Sequence, residues 1–231
     1  MTIFKSTLLT LACLATTAFA QAPDPNAILE NARVAATLTK LEDGLNGKLS
    51  QGRKTVPVGL FLKGPNIQFQ FNEGKDWQVF HMRLADRQYD LFQIVDGKTT
   101  NFPAAKITQP IAGTDLTYED LALRFFYWPN PKYEGEESVA GQPCYRLRLD
   151  KPKGDPGRYE SMYVWVHKKY GAFMQIKGHD KGGALLKEFQ VRDVMKIAAD
   201  TWTLRKMEVS SYNPSTGRRS SITNVTFDSP K

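Results

Sequence analysis

Apolar residues recur along this chain at two spacings, and the change from one to the other predicts its elements. Asp24-Pro25 reads as a helix start, with an N-cap aspartate and a proline in the first turn. Ile28, Ala32, Ala35, Leu38, Leu41 and Leu45 follow in steps of three and four, one face of an amphipathic helix, with Gly44 as its expected stop. From Val58 the step becomes two. Val58, Leu60 and Leu62 alternate, Gly64-Pro65-Asn66 turns, and Ile67, Phe69 and Phe71 alternate with Gln68, Gln70 and Asn72. Residues 72–75 turn again, residues 77–84 and 88–95 read as strands, and Asp96-Gly97 is a hairpin signal.

A second helix is expected to interrupt the strands. Thr117-Tyr118-Glu119-Asp120 fits a capping box, and Leu121 to Trp128 is apolar nearly all round until Pro129. Residues 143–150, 161–167, 172–178, 184–191, 201–212 and 220–227 then read as a strand meander with turn-rich connections. The pattern therefore predicts a mainly β, α+β chain of about ten antiparallel strands and two helices, with no repeat and no domain linker. A sheet that long must curl, which leaves the helices to fill its concave side.

The first twenty residues are not read as fold. Lys5 precedes an apolar stretch from Ser6 to Ala18, and Ala18-Phe19-Ala20 is a small-x-small cleavage signal before Gln21. Residues 1–20 are thus expected to be a signal peptide cut after Ala20, and residues 21–231 a single domain exported to the periplasm. A lipidation site at Cys13 would need an apolar residue where Thr10 stands. Loss of Lys5 lowers the net charge from +7 to +6, and loss of Cys13 leaves Cys144 as the one cysteine. Cys144 then reads as a small packed side chain. At 231 residues, with 41% in the hydrophobic set, the chain has globular composition and needs no disulfide staples. Its basic residues are scattered along strands rather than gathered on a helix, which argues against nucleic acid. The milder reading of the charge is attraction to anionic membrane surfaces or to a negatively charged partner.

Catalytic chemistry is not legible. His81, His167 and His179 sit at no metal spacing, and no nucleophile elbow, phosphate loop or dinucleotide fingerprint occurs. No catalytic residue, metal or cofactor is expected. The sequence offers apolar residues instead, and periodicity cannot separate a filled core from a cavity lined for an apolar ligand.

Gly113 to Leu121, reading G-T-D-L-T-Y-E-D-L, resembles the G-S-D-F-S-Y-E-D-L stretch of the LolA-like outer membrane lipoprotein-sorting proteins. Gly59 to Asn66, Val95 to Thr99, Tyr163 to Lys169 and Trp202 to Glu208 are similar to further pieces of that family, in the same order. The resemblance implies an incomplete antiparallel β-barrel with helices as lid or plug over a hydrophobic cavity. It implies a monomeric carrier of lipoprotein acyl chains that receives cargo from an inner-membrane transporter and yields it to an outer-membrane acceptor. The alternative is a periplasmic lipid-binding or envelope-sensing module of the same fold that binds free lipids and transfers no lipoprotein. The candidate cavity residues are Leu60, Leu62, Ile67, Phe69, Phe71, Phe80, Met82, Leu121, Phe125, Tyr145, Leu147, Leu149, Val164, Met174 and Ile176. One position departs from the family: Gly64 stands where LolA has an arginine that holds its lid closed, so that opening mechanism does not transfer.

Overall fold

The computed structural model describes residues 22–37, 41–73, 76–84, 89–198 and 201–230; the expected signal segment lies outside them. The first helix, α1 (Pro25–Thr37), starts as predicted: the Asp24 carboxylate accepts the Asn26 N–H at 2.9 Å. It buries Ile28, Leu29 and Ala32. It ends well short of Gly44. Leu41 and Leu45 belong to a strand, β1 (Leu41–Gln51), so two of the expected helical positions are corrected; Leu38 lies outside the described residues. Leu45, Gly47 and Leu49 step by two as readily as Leu38, Leu41 and Leu45 step by three and four, and pairing on both sides decides for strand.

Thirteen strands are present among the described residues rather than about ten. After β1 come β2 (Lys54–Lys63), β3 (Asn66–Glu73), β4 (Asp76–Leu84), β5 (Tyr89–Val95) and β6 (Lys98–Asn101). The second run is β7 (Lys132–Val139), β8 (Gln142–Asp150), β9 (Ser161–His167), β10 (Phe173–His179), β11 (Leu185–Ala198), β12 (Thr201–Tyr212) and β13 (Arg219–Phe227). The three unexpected strands are β1, β6 and β7. The last two are edge strands made mostly of polar residues, and β6 is exposed throughout, so neither carries an apolar alternation.

All pairings are antiparallel, in the order β6-β5-β4-β3-β2-β1-β13-β12-β11-β10-β9-β8-β7. Two meanders therefore meet in mid-sheet, where the first strand pairs with the last, and the sheet stays open between β6 and β7. Residues 102–131 run from one edge to the other. They cross the concave face, and they hold the expected second helix.

That helix is broken. α2 (Tyr118–Ala122) is a single turn, Leu123 takes a left-handed conformation (φ 47°, ψ 35°), and Arg124–Tyr127 is a 3-10 turn. The apolar run Leu121 to Trp128 has no polar face to keep as one exposed cylinder. Kinking at Leu123 lets Ala122, Phe125, Phe126 and Trp128 all be buried.

Candidate apolar ligand cavity

Register lines up the inner face. Leu62, Ile67 and Met82 form one row across β2, β3 and β4, and Leu60, Phe69 and Phe80 form the next. On the other wing Leu147, Val164, Ile176, Phe189 and Val209 form a row across five strands, β8 to β12. One step further along, the row turns polar: Gly178, Lys187, Ser211 and Ser221 are consecutive partners. The concave face is thus apolar at one end and polar at the other.

The crossing segment uses the polar end as its anchor. The Asp115 carboxylate accepts hydrogen bonds from the Ser221 hydroxyl and, at 3.1 Å, from the Thr223 hydroxyl. Five residues on, Asp120 is fully buried and makes an ion pair with Lys187, whose side chain is 3% exposed. The Tyr159 hydroxyl donates to the same carboxylate at 2.6 Å, and the Thr117 N–H donates to it at 2.7 Å, the Asp120 half of the expected capping box. Burial and the Asp120 charge push the Tyr159 hydroxyl well above its ordinary value, so it stays a donor.

Beside the plug, close approach requires glycine at two places. A Cβ on Gly178 would lie 2.5 Å from the Tyr159 ring. One on Gly157, at φ +119°, would lie 1.9 Å from Glu119 Oε1. Glu119 is itself buried, and its carboxylate accepts the Arg158 N–H at 3.1 Å. Burial, with Asp120 beside it, raises this carboxyl above the ordinary range despite that hydrogen bond. Each acidic residue of the Asp115–Asp120 stretch is therefore a fastener, and together they pin the plug to β11, β13 and the loop before β9.

The apolar end remains open under the plug. A cavity of about 240 Å³ lies there, walled by β1 to β4, β10 to β13, α1 and the plug. Of the 27 described residues that line it, only Asp120 and Thr203 are polar in side chain, and Asp120 is committed to Lys187 and Tyr159. Nine of the fifteen candidate residues line it: Leu60, Leu62, Ile67, Phe69, Phe71, Met82, Leu121, Met174 and Ile176. The rings of Phe69 and Phe71 stack with centroids 6.1 Å apart.

The other six are placed elsewhere. Phe80 is buried against Phe102 and Tyr118, and Phe125 against Phe126. Leu147, Leu149 and Val164 are wholly buried in the packed core, and Tyr145 pairs with Tyr133 near an edge. These positions share the alternation of the lining residues, and the sheet curls away from the cavity before it reaches β8 and β9. Sequence reading did not single out Phe189, Val191, Val194, Trp202, Leu204, Met207, Val225 and Phe227 as lining. Their signal was present as alternation in β11 to β13, interrupted by bulges at Val191/Asp193 and Asp193/Val194.

The histidines and Cys144 are not among the described residues that line the cavity. His167 Nδ1 accepts the N–H groups of Lys169 and Tyr170, which assigns its proton to Nε2, facing Gln142 Oε1 at 3.2 Å. His81 meets Asn66, and His179 lies edge-on to Tyr163. Cys144 is buried, and burial pushes its thiol up, away from the reactive thiolate.

An open antiparallel sheet curled around a plugged apolar cavity defines the LolA-like fold, and known proteins agree. A structure titled as a putative outer membrane lipoprotein-sorting protein domain from Vibrio parahaemolyticus superposes with a TM-score of 0.66 at 14% identity, covering 88% of this chain and 90% of that one. A DUF1329 family protein from Desulfovibrio piger gives 0.65 at 19%, covering 89% and 92%. A LolA superfamily protein from Nitrosomonas europaea gives 0.63 at 15%, covering 90% and 92%. No curated protein matches the sequence. A family model described as "Uncharacterized protein" matches residues 85–230, and the chain belongs to that family.

Proposed function

We propose that this protein carries acyl chains through the periplasm by reversible burial, with no bond made or broken. The observation that carries this reading is the cavity itself, whose described lining residues present no uncommitted charge. Burying acyl chain is worth ~0.8 kcal/mol per CH₂, so about ten methylenes supply ~8 kcal/mol, the scale of micromolar binding. Export after loss of residues 1–20 belongs to the same reading. So does delivery of lipoproteins toward the outer membrane, with an inner-membrane donor and an outer-membrane acceptor.

The cavity volume favours a second cargo as well. At about 240 Å³ it falls below the roughly 300–1,000 Å³ of pockets that hold drug-sized ligands. A free single-chain lipid asks less of this volume than a multiply acylated anchor, which would need the plug to lift. Native mass spectrometry of the protein purified from its own envelope tests both. An adduct with the mass of an acylated protein supports lipoprotein carriage, and a free-lipid adduct supports the smaller cargo. A bare mass after gentle purification refutes the carrier reading.

A further inference from the structure

The cavity rim continues into a hairpin that outruns its neighbours. The β10–β11 ladder stops at Gln175↔Gln190, and the β12–β13 ladder stops at Lys206↔Thr226. Beyond these pairs β11 and β12 are hydrogen-bonded in the sheet only to each other, as far as Ala198↔Thr201. The five steps from Lys206 to Thr201, at about 3.4 Å each, carry the hairpin about 17 Å past β13.

Its surface chemistry is specific. Trp202 is 59% exposed and Val194 48%, large apolar side chains left in water at the lip of the cavity they both line. Lys196 lies directly opposite Trp202, and Val194 directly opposite Leu204. These two pairs are alternate rungs, so the tryptophan, the lysine and the valine share one face. Residues 192–206 carry four basic side chains against two acidic ones. Arg192 pairs with Glu208 and Arg205 with Asp193, while Lys196 and Lys206 are exposed and form no ion pair with a described carboxylate.

We propose that the β11–β12 hairpin docks the protein on an anionic lipid bilayer, with Trp202 and Val194 entering the interfacial region and Lys196 among the headgroups. A tryptophan beside a lysine is the pairing that suits this boundary, where the ring is half wetted and the ammonium stays in water. The two cations with no ion-pair partner among the described residues match a negative surface. Continuity with the cavity favours a bilayer over a protein partner. Trp202, Leu204 and Met207 all line the cavity, so a chain leaving the membrane along them meets apolar side chains from the lip inward. The purpose of the arm rests on the acyl-carrier reading; its geometry does not.

The test is flotation of the purified protein with phosphatidylcholine vesicles, with and without phosphatidylglycerol. The protein is expected to float with the anionic vesicles, and less so as salt rises. The double substitution Val194→Ser/Trp202→Ser should lower binding by about tenfold. Lys196→Gln should lower it by about fivefold, with Lys196→Arg restoring it. Trp77→Ser, which removes another exposed tryptophan from the β3–β4 hairpin, should change nothing. Thermal melts of all variants should match the parent, because each residue is exposed. Brominated lipids should quench fluorescence in the parent and not in Trp202→Phe. Failure of the parent to float, or flotation of the double variant like the parent, overturns the proposal. Vesicle binding by a protein that carries no lipid in native mass spectrometry would sink the carrier reading and leave the docking arm standing.

Discussion

Replacing Lys187 by methionine is the most informative single perturbation of the plug. The change keeps the length and apolar stem of the side chain and removes one charge. It leaves the Asp120 carboxylate, with no exposed side-chain surface, facing only Tyr159 and the Thr117 N–H. Breaking a buried pair from one side costs about 3–5 kcal/mol, because the remaining charge stays desolvated. At about 2–4 °C per kcal/mol for a domain of this size, the melting temperature should fall by roughly 6–20 °C. The Lys132–Asp150 pair is the internal comparison. Its side chains are 60% and 39% exposed, so Lys132→Met should cost under about 1 kcal/mol. Asp120→Asn combined with Lys187→Met removes both charges and keeps an acceptor, so it should recover much of the loss. Urea titrations of the four proteins supply the free energies, and hydrogen exchange over residues 110–128 shows whether the plug loosens first. A loss below about 1 kcal/mol for Lys187→Met would refute the view that this pair pins the plug.

Three further outcomes follow from the geometry. Phe69→Asp or Phe71→Asp should weaken binding of a fluorescent fatty acid far more than Gln68→Asp or Gln70→Asp, since only the phenylalanines line the cavity; equal effects at all four would contradict the assignment of the inner face. The raised carboxyl of Glu119 means the folded state holds its proton more tightly than the unfolded chain does. Stability from this group is therefore present below the unfolded value near 4.5 and is lost as pH rises through the folded value; Glu119→Gln should remove that slope from urea midpoints measured upward from pH 4.5. Gly178→Ala should destabilise by about 1–3 kcal/mol, because the new methyl meets the Tyr159 ring, and a thermal melt indistinguishable from the parent would show that the ring can step aside.

Long alternations were legible because a strand with one buried face writes its geometry at every second position. Residues 58–62 and 67–71 carry that code, and the structure pairs them in β2 and β3. The code fails where burial does not alternate. The polar edge strands β6 and β7 bury almost nothing, so composition said nothing of them. The short connection between α1 and β1 hid a switch of period inside one apolar run. The motif Gly113 to Leu121 was legible as a resemblance, yet its physical role was not: nothing in the sequence pairs Asp120 with Lys187, 67 residues away, or Asp115 with Thr223, 108 residues away.

Sequence alone determined that the chain is mainly β, that alternating apolar residues must face one side of a curled sheet, and that a capped, apolar segment must be covered there. Tertiary structure decided which of those residues meet a cavity and which meet each other. Phe69 and Leu147 have the same alternation and similar size, yet one lines the space and the other is sealed in the core. The difference lies in the curvature of the thirteen described strands and in where three carboxylates hold the plug. Those are properties of contacts between distant parts of the chain, which local periodicity does not encode.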